Sequence, residues 1–173
     1  MGQIKNNLKP QDIVILLKII ALGKSNWFHH TLADELGISQ SEVTQSLNRS
    51  KYAGLIDSAR KKVNRIAFNE FVLHGLSYAF PQQPGALVRG LLTAHSAVPL
   101  NIIIQSNEKY VWPYAKGTQR GQAIEPMYKT AVEASIKDPN LYELLTLVDA
   151  LRVGKVREKE LAKKELEKRI LNA

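Results

Sequence analysis

Leu-Ala-Asp-Glu-Leu-Gly-Ile-Ser-Gln-Ser-Glu-Val-Thr-Gln-Ser-Leu-Asn-Arg, residues 32 to 49, is the stretch on which the fold turns. Leu32, Ala33 and Leu36 share one face of a helix, and Gly37 stands where that helix has to stop and a left-handed residue meets no steric penalty. Ile38 is placed to fill the angle beyond the turn. Ser39 followed by Glu42 is a capping box, which predicts a second helix from Gln40 to about residue 53. Its apolar stripe is Val43 and Leu47. The opposite face carries Gln40, Ser41, Thr44, Gln45, Asn48 and Arg49 and is entirely polar.

The residues that follow extend this pattern. Lys51-Tyr52-Ala53-Gly54 closes the second helix. Residues 55–59 and 63–68 read as two strands of a hairpin around Arg60-Lys61-Lys62, with Arg65 on the returning strand. Amides, hydroxyls and a guanidinium on a helix face are the groups that bond base edges in a major groove, and a basic hairpin tip suits phosphates. The candidate DNA contacts are therefore Ser39, Gln40, Ser41, Thr44 and Gln45 at the front of the helix, Asn48, Arg49 and Lys51 further along it, and Arg60, Lys61, Lys62 and Arg65 on the hairpin. A surface made for a protein groove would carry apolar anchors, which this face lacks.

Before the motif, Pro10 is pre-set for a first helical position and Asp12 suits the positive end of the dipole, so a helix runs from about Lys9 to Leu22. Between Ile13 and Leu22 every residue except Lys18 is apolar. One stripe on one small core does not use that many, and the surplus calls for a second subunit, the C-terminal region, or a central position in the core. Gly23 ends the helix, and Trp27-Phe28-His29-His30 is a short strand or the lead into the next one. The paired histidines diverge on either element and have no carboxylate at ligand spacing, so no metal site is expected.

After the hairpin, a helix from Asn69 to Phe80 is broken by Pro81-Gln82-Gln83-Pro84-Gly85, which marks the expected boundary between a domain at 1–80 and an accessory region at 81–173. Prolines and glycines interrupt residues 81–126. Residues 99–104 and 109–112 read as two strands around Gln105-Ser106-Asn107-Glu108, followed by a loop to Gln122. Residues 84–90 lack the Gly-Lys-Ser/Thr ending of a phosphate loop, and His95-Ser96 lacks the glycines of a nucleophile elbow. His74 lies in an apolar helix and receives no role. From Glu125 the chain is helical again. Asp138-Pro139-Asn140 caps a helix with the stripe Leu141, Leu144, Leu145, Val148 and Leu151; Gly154 allows a bend before a charged helix to Leu171.

Composition narrows the class. The 173 residues are 45% hydrophobic, enough for a sizeable core, and contain no cysteine, which excludes disulfides, thiolate metal sites and a cysteine nucleophile. Twenty-four Lys and Arg against 16 Asp and Glu give a formal charge of +8, favouring a polyanionic partner. Residues 1–80 hold 10 basic and 6 acidic side chains, a net +4, against +2 in each of 81–138 and 139–173, so the excess is greatest in the segment that carries the motif. No apolar run has membrane-spanning length and the N-terminus lacks the pattern of a secretory leader, so a cytoplasmic protein away from the membrane is expected.

Through Leu32, Ala33, Leu36, Gly37, Ile38, Ser39, Val43 and Leu47 the chain resembles the helix-turn-helix of bacterial winged-helix transcription regulators. The wider pattern, with Phe80-Pro81, Arg89-Gly90, Val111-Trp112-Pro113, Arg120-Gly121 and residues 149–154, looks like a group of MarR-type or unclassified winged-helix proteins with a C-terminal accessory region. Only residues 10–68 carry the general motif, and the Pro-rich segment departs from the ordinary MarR-type layout, where helices flanking the reader make the dimer. The resemblance implies an α+β, mostly helical chain: a winged helix, then a loop-rich, small-β and α-helical region. It implies a regulator that binds double-stranded DNA as a homodimer, with a small-molecule effector or a protein partner compatible with the accessory region. No catalytic residue and no cofactor are expected. The alternative is an adaptor or antitoxin-like protein that uses the same surfaces on a protein partner.

Overall fold

The structure, a computed structural model, describes residues 6–172; residues 1–5, on which the reading about a leader partly falls, lie outside the described residues. The protein is a mixed α+β chain, mostly helical, with one small sheet. Its elements in order are α1 (Pro10–Ala21), α2 (His29–Leu36), α3 (Gln40–Tyr52), α4 (Arg65–His74), α5 (Leu76–Ala79), β1 (Leu87–Leu92), β2 (Tyr110–Pro113), β3 (Gln119–Ala123), α6 (Ala131–Lys137), α7 (Pro139–Val153) and α8 (Val156–Asn172). No helix among the described residues is long and apolar enough to cross a membrane.

Helix α1 is the centre of the core. Every residue from Ile13 to Ile20 is buried, Lys18 included. The surplus of apolar side chains on this helix is therefore covered within the chain: α3 lies against one side and α7 against another. Lys18 is tolerated inside because its ammonium meets the carboxylates of Glu35 and Asp138, the latter at 2.6 Å. Asp138 also accepts from the backbone N–H groups of Asn140 and Leu141, capping α7, so one carboxylate joins the start of α7 to the middle of α1. The buried cluster runs on from Ile13 to Ile170 through both halves of the sequence. The Pro81–Gly85 segment is a break in secondary structure over which the core continues.

The three strands close on one another. β1 is antiparallel to both β2 and β3, with Leu91 opposite Trp112 and Val88 opposite Gly121, while β2 and β3 run parallel. So tight a closure requires glycine where backbones meet: a Cβ at Gly90 would fall 1.9 Å from the Trp112 carbonyl oxygen. The sheet is anchored to α7 through Asp149, which is fully buried and accepts hydrogen bonds from the Trp112 indole, the Thr93 hydroxyl and Arg152. Burial pushes its carboxyl above the ordinary range, against the pull of Arg152. Arg152 itself reaches the Phe80 and Glu125 carbonyls, tying the Pro-rich segment down.

Several expectations change here. Residues 99–104 form no strand; Leu100–Ile102 is a 3₁₀ turn with only Leu100 buried. The loop expected up to Gln122 contains β3. The helix expected from Asn69 starts at Arg65 instead, because the Asn64 side chain accepts from the Ala67 N–H, and Phe68 and Val72 supply its buried stripe. The returning hairpin strand is correspondingly lost: only Ile56 and Val63 pair.

Candidate functional site

Helices α2 and α3 meet at Gly37, whose φ of 65° is the left-handed conformation that glycine adopts freely. The capping box then forms in full. The Ser39 hydroxyl accepts from the Glu42 N–H at 3.1 Å and the Glu42 carboxylate accepts from the Ser39 N–H at 2.8 Å. The other Glu42 oxygen accepts from Gln11 Nε2 and from the Tyr128 hydroxyl, at 3.2 and 3.0 Å. Bonds from Ser39, then from Tyr128 and Gln11, hold this carboxyl at about 2. The start of α3 is thereby pinned to α1 and to the segment before α6.

Val43 and Leu47 are fully buried, while Gln40, Ser41, Gln45, Asn48 and Lys51 are exposed and Thr44 is half-buried. The face is internally ordered. Gln45 donates to the Ser41 hydroxyl at 3.2 Å, Thr44 donates to the Gln40 carbonyl, and His29 Nδ1 lies 3.1 Å from the Thr44 hydroxyl. Tyr52, 74% exposed, also falls on this face by helical angle. Its spacing from Ser41, Thr44 and Asn48 is the sequence signal that places it there.

Arg49 is not part of that surface. It sits at the edge of the face and turns inward, with Nε and Nη2 donating to both oxygens of the fully buried Asp12, the shortest contact being 2.7 Å. Arg49, expected on the DNA-facing surface, makes a fork between α3 and α1. Arg65 is displaced as well. Instead of standing on a hairpin strand it opens α4 and donates to the Ile170 carbonyl at 2.7 Å, at the negative end of α8.

The basic turn does stand beside α3. The Asp57 carboxylate accepts from the N–H groups of Lys61 and Lys62 at 2.7 and 3.1 Å, which also keeps its carboxyl below the usual range. This bends the chain so that Arg60 adopts a φ of 58°, a strained conformation outside glycine. Its guanidinium donates to Asn48 Oδ1 at 2.8 Å. Lys61 reaches over the Trp27 ring, 4.8 Å from its centroid, and Lys62 is exposed. Burial, then the charges of Lys61 and Arg60, lower the pKa of His29.

Arg60 thus joins the basic turn to the polar face of α3 at Asn48, while Lys61 lies on the Trp27 side of the turn. No family model, curated protein or solved structure matches the chain.

Among the described residues no group of three metal-ligand side chains converges. At His95 the residues fall in a suggestive order: Ser96 Oγ is 3.4 Å from Nε2, and Glu158 is 3.9 Å from Nδ1. Nε2, however, lies 2.9 Å from the Glu108 carbonyl, which only accepts, so this nitrogen carries the proton and has no lone pair for a serine hydroxyl. Ser96 Oγ accepts from the Tyr110 N–H at 2.9 Å. These bonds hold the loop against β2 and leave Ser96 without a base.

Proposed function

We propose that the chain is a winged-helix transcriptional regulator that reads double-stranded DNA, with α3 in the major groove and the turn at residues 60–62 as a shortened wing on the backbone. The observation that carries this reading is the Arg60–Asn48 bond, which sets the cationic turn in register with the polar face of α3. Gln40, Ser41, Thr44 and Gln45 then address base edges, and Lys51, Lys61 and Lys62 address phosphates. Ser39 serves chiefly as the cap, and Arg49 and Arg65 hold the reader's shape. The protein acts in the cytoplasm, as a homodimer on a twofold site, and no enzymatic step is assigned to it.

The test is fluorescence anisotropy against DNA from upstream of its own gene and against a scrambled duplex, at two salt concentrations. A preference for the upstream duplex that survives the higher salt supports the reading; equal binding that salt erases reduces it to an electrostatic contact.

A second reading, an adaptor or antitoxin-like protein, is favoured by the exposure of Ile102 and Ile103, at 78% and 47%. Under it the protein has no DNA affinity at either salt.

A further inference from the structure

On the other side of the basic turn lies a groove of about 760 Å³ between that turn and the loop joining α1 to α2. Its walls carry Lys24, Lys61, Lys62 and Arg65 together with Trp27 and Phe28, and no carboxylate is among the lining residues. Ile19 and Val63 supply apolar surface, and Ser25 and Asn26 supply small polar groups. The volume is that of a small-molecule site.

The chemistry of the lining is specific. Lys24, Lys61 and Lys62 are exposed, and none takes part in an ion pair among the described residues. Asp57, the carboxylate of the turn, is occupied by two backbone N–H groups. Three ammonium groups call for several negative charges close together. Phe28 is 58% exposed; its ring lies nearly parallel to His30, with centroids 5.6 Å apart, and the Lys61 ammonium stands 6.0 Å from its centroid. A stacked, largely exposed ring beside a cluster of cations suits a ligand with a flat ring at one end and a polyanion at the other.

We propose that this groove binds a nucleoside polyphosphate, its base on Phe28 and its phosphates among Lys24, Lys61 and Lys62. Lys61 and Lys62 are also the cations assigned above to the DNA backbone, so nucleotide and DNA exclude one another, and the nucleotide is an effector of the regulator. That exclusion rests on the DNA reading; the binding itself does not.

Isothermal titration of the full chain with ATP, with inorganic tripolyphosphate and with adenosine tests it. ATP is expected to bind about tenfold or more tighter than either fragment, because the ring contributes alongside the charge. Phe28→Ala should bring ATP down to the level of tripolyphosphate and leave tripolyphosphate unchanged, whereas Phe28→Tyr should retain ATP binding. Lys24→Ala should weaken ATP and tripolyphosphate together. Both side chains are exposed, and far-ultraviolet circular dichroism checks that each variant is folded. No binding of ATP, or equal affinity for ATP and tripolyphosphate, overturns the proposal. ATP should also displace bound DNA in the anisotropy assay; simultaneous binding overturns the exclusion. ATP binding without any DNA affinity keeps the site and removes the regulator reading, and the two failures are thus told apart.

Discussion

Arg49 of α3 and Asp12 of α1 form a two-pronged pair inside the protein, with the carboxylate fully buried and the guanidinium nearly so. It is the fixed joint between the helix that carries the polar face and the helix at the centre of the core. Removing one partner strands a charge in a low-dielectric interior. Arg49→Ala is expected to cost about 3–5 kcal/mol, read as a lower midpoint in urea, while Asp12→Leu with Arg49→Met recovers most of it. The salt slope of DNA binding should not change in the double variant if Arg49 makes no phosphate contact. A slope reduced by one phosphate would return Arg49 to the interface.

Under the proposed DNA-binding function, substitutions at Gln45 and Lys61 should separate sequence preference from affinity. Gln45 lies on the exposed face with its amide resting on Ser41, free to exchange that bond for a base edge. Gln45→Ala should change the order of preference among operator variants by about 1–3 kcal/mol at the affected base pair. Lys61→Ala should weaken all duplexes alike and reduce the salt slope by about one. Identical losses for the two variants on both measures would remove the distinction and the assignment with it.

The capping box was legible from two residues three apart, and so were the left-handed Gly37 and the Asp138 cap, because each is a local device whose partners are neighbours in sequence. What misled was alternation over a short span. In residues 63–68 the apolar positions fit a strand as well as the first turn of α4, and the deciding signal was Asn64 as a cap with Phe68 and Val72 four apart. Residues 99–104 are rich in isoleucine, yet the chain there folds into a tight turn and leaves Ile102 and Ile103 outside. β3, Gln-Arg-Gly-Gln-Ala, has almost no apolar signal; it is held by backbone pairing to β1 that no local pattern announces. Arg49 was indistinguishable from its neighbours on the helix because its partner lies in a different helix.

Glu42 gives the start of α3 a dependence on acid. Its folded pKa of about 2 lies below the unfolded value of 4.5, so its contribution is complete above about 4.5 and is lost as the pH falls toward 2. Glu42→Gln should show less loss of stability across that window, followed by thermal melts at stepped pH. At neutral pH the same variant should be less stable by about 1 kcal/mol, through the weakened cap. An unchanged acid profile would mean that the carboxylate is not held by Ser39, Tyr128 and Gln11 in solution.

Asp149 holds the small sheet onto α7. Asp149→Ala leaves the Trp112 indole, the Thr93 hydroxyl and the Arg152 guanidinium each short of an acceptor, and should cost about 3 kcal/mol or more. Hydrogen exchange should report the loss first in residues 87–123. Protection lost equally in α1 and α3 would mean that the sheet and these helices open as one unit.

The burial of α1 by α7 bears on how such a chain can change over evolutionary time. The first three helices are not a portable cassette, because Lys18 of α1 pairs with a carboxylate 120 positions downstream: grafted elsewhere without α7, they would expose the α7-facing side of Ile13 to Ile20 and pair Lys18 with Glu35 alone. Changes on the surface of α3 and the basic turn leave this packing untouched, whereas substitutions in α1 and in α7 have to fit one another.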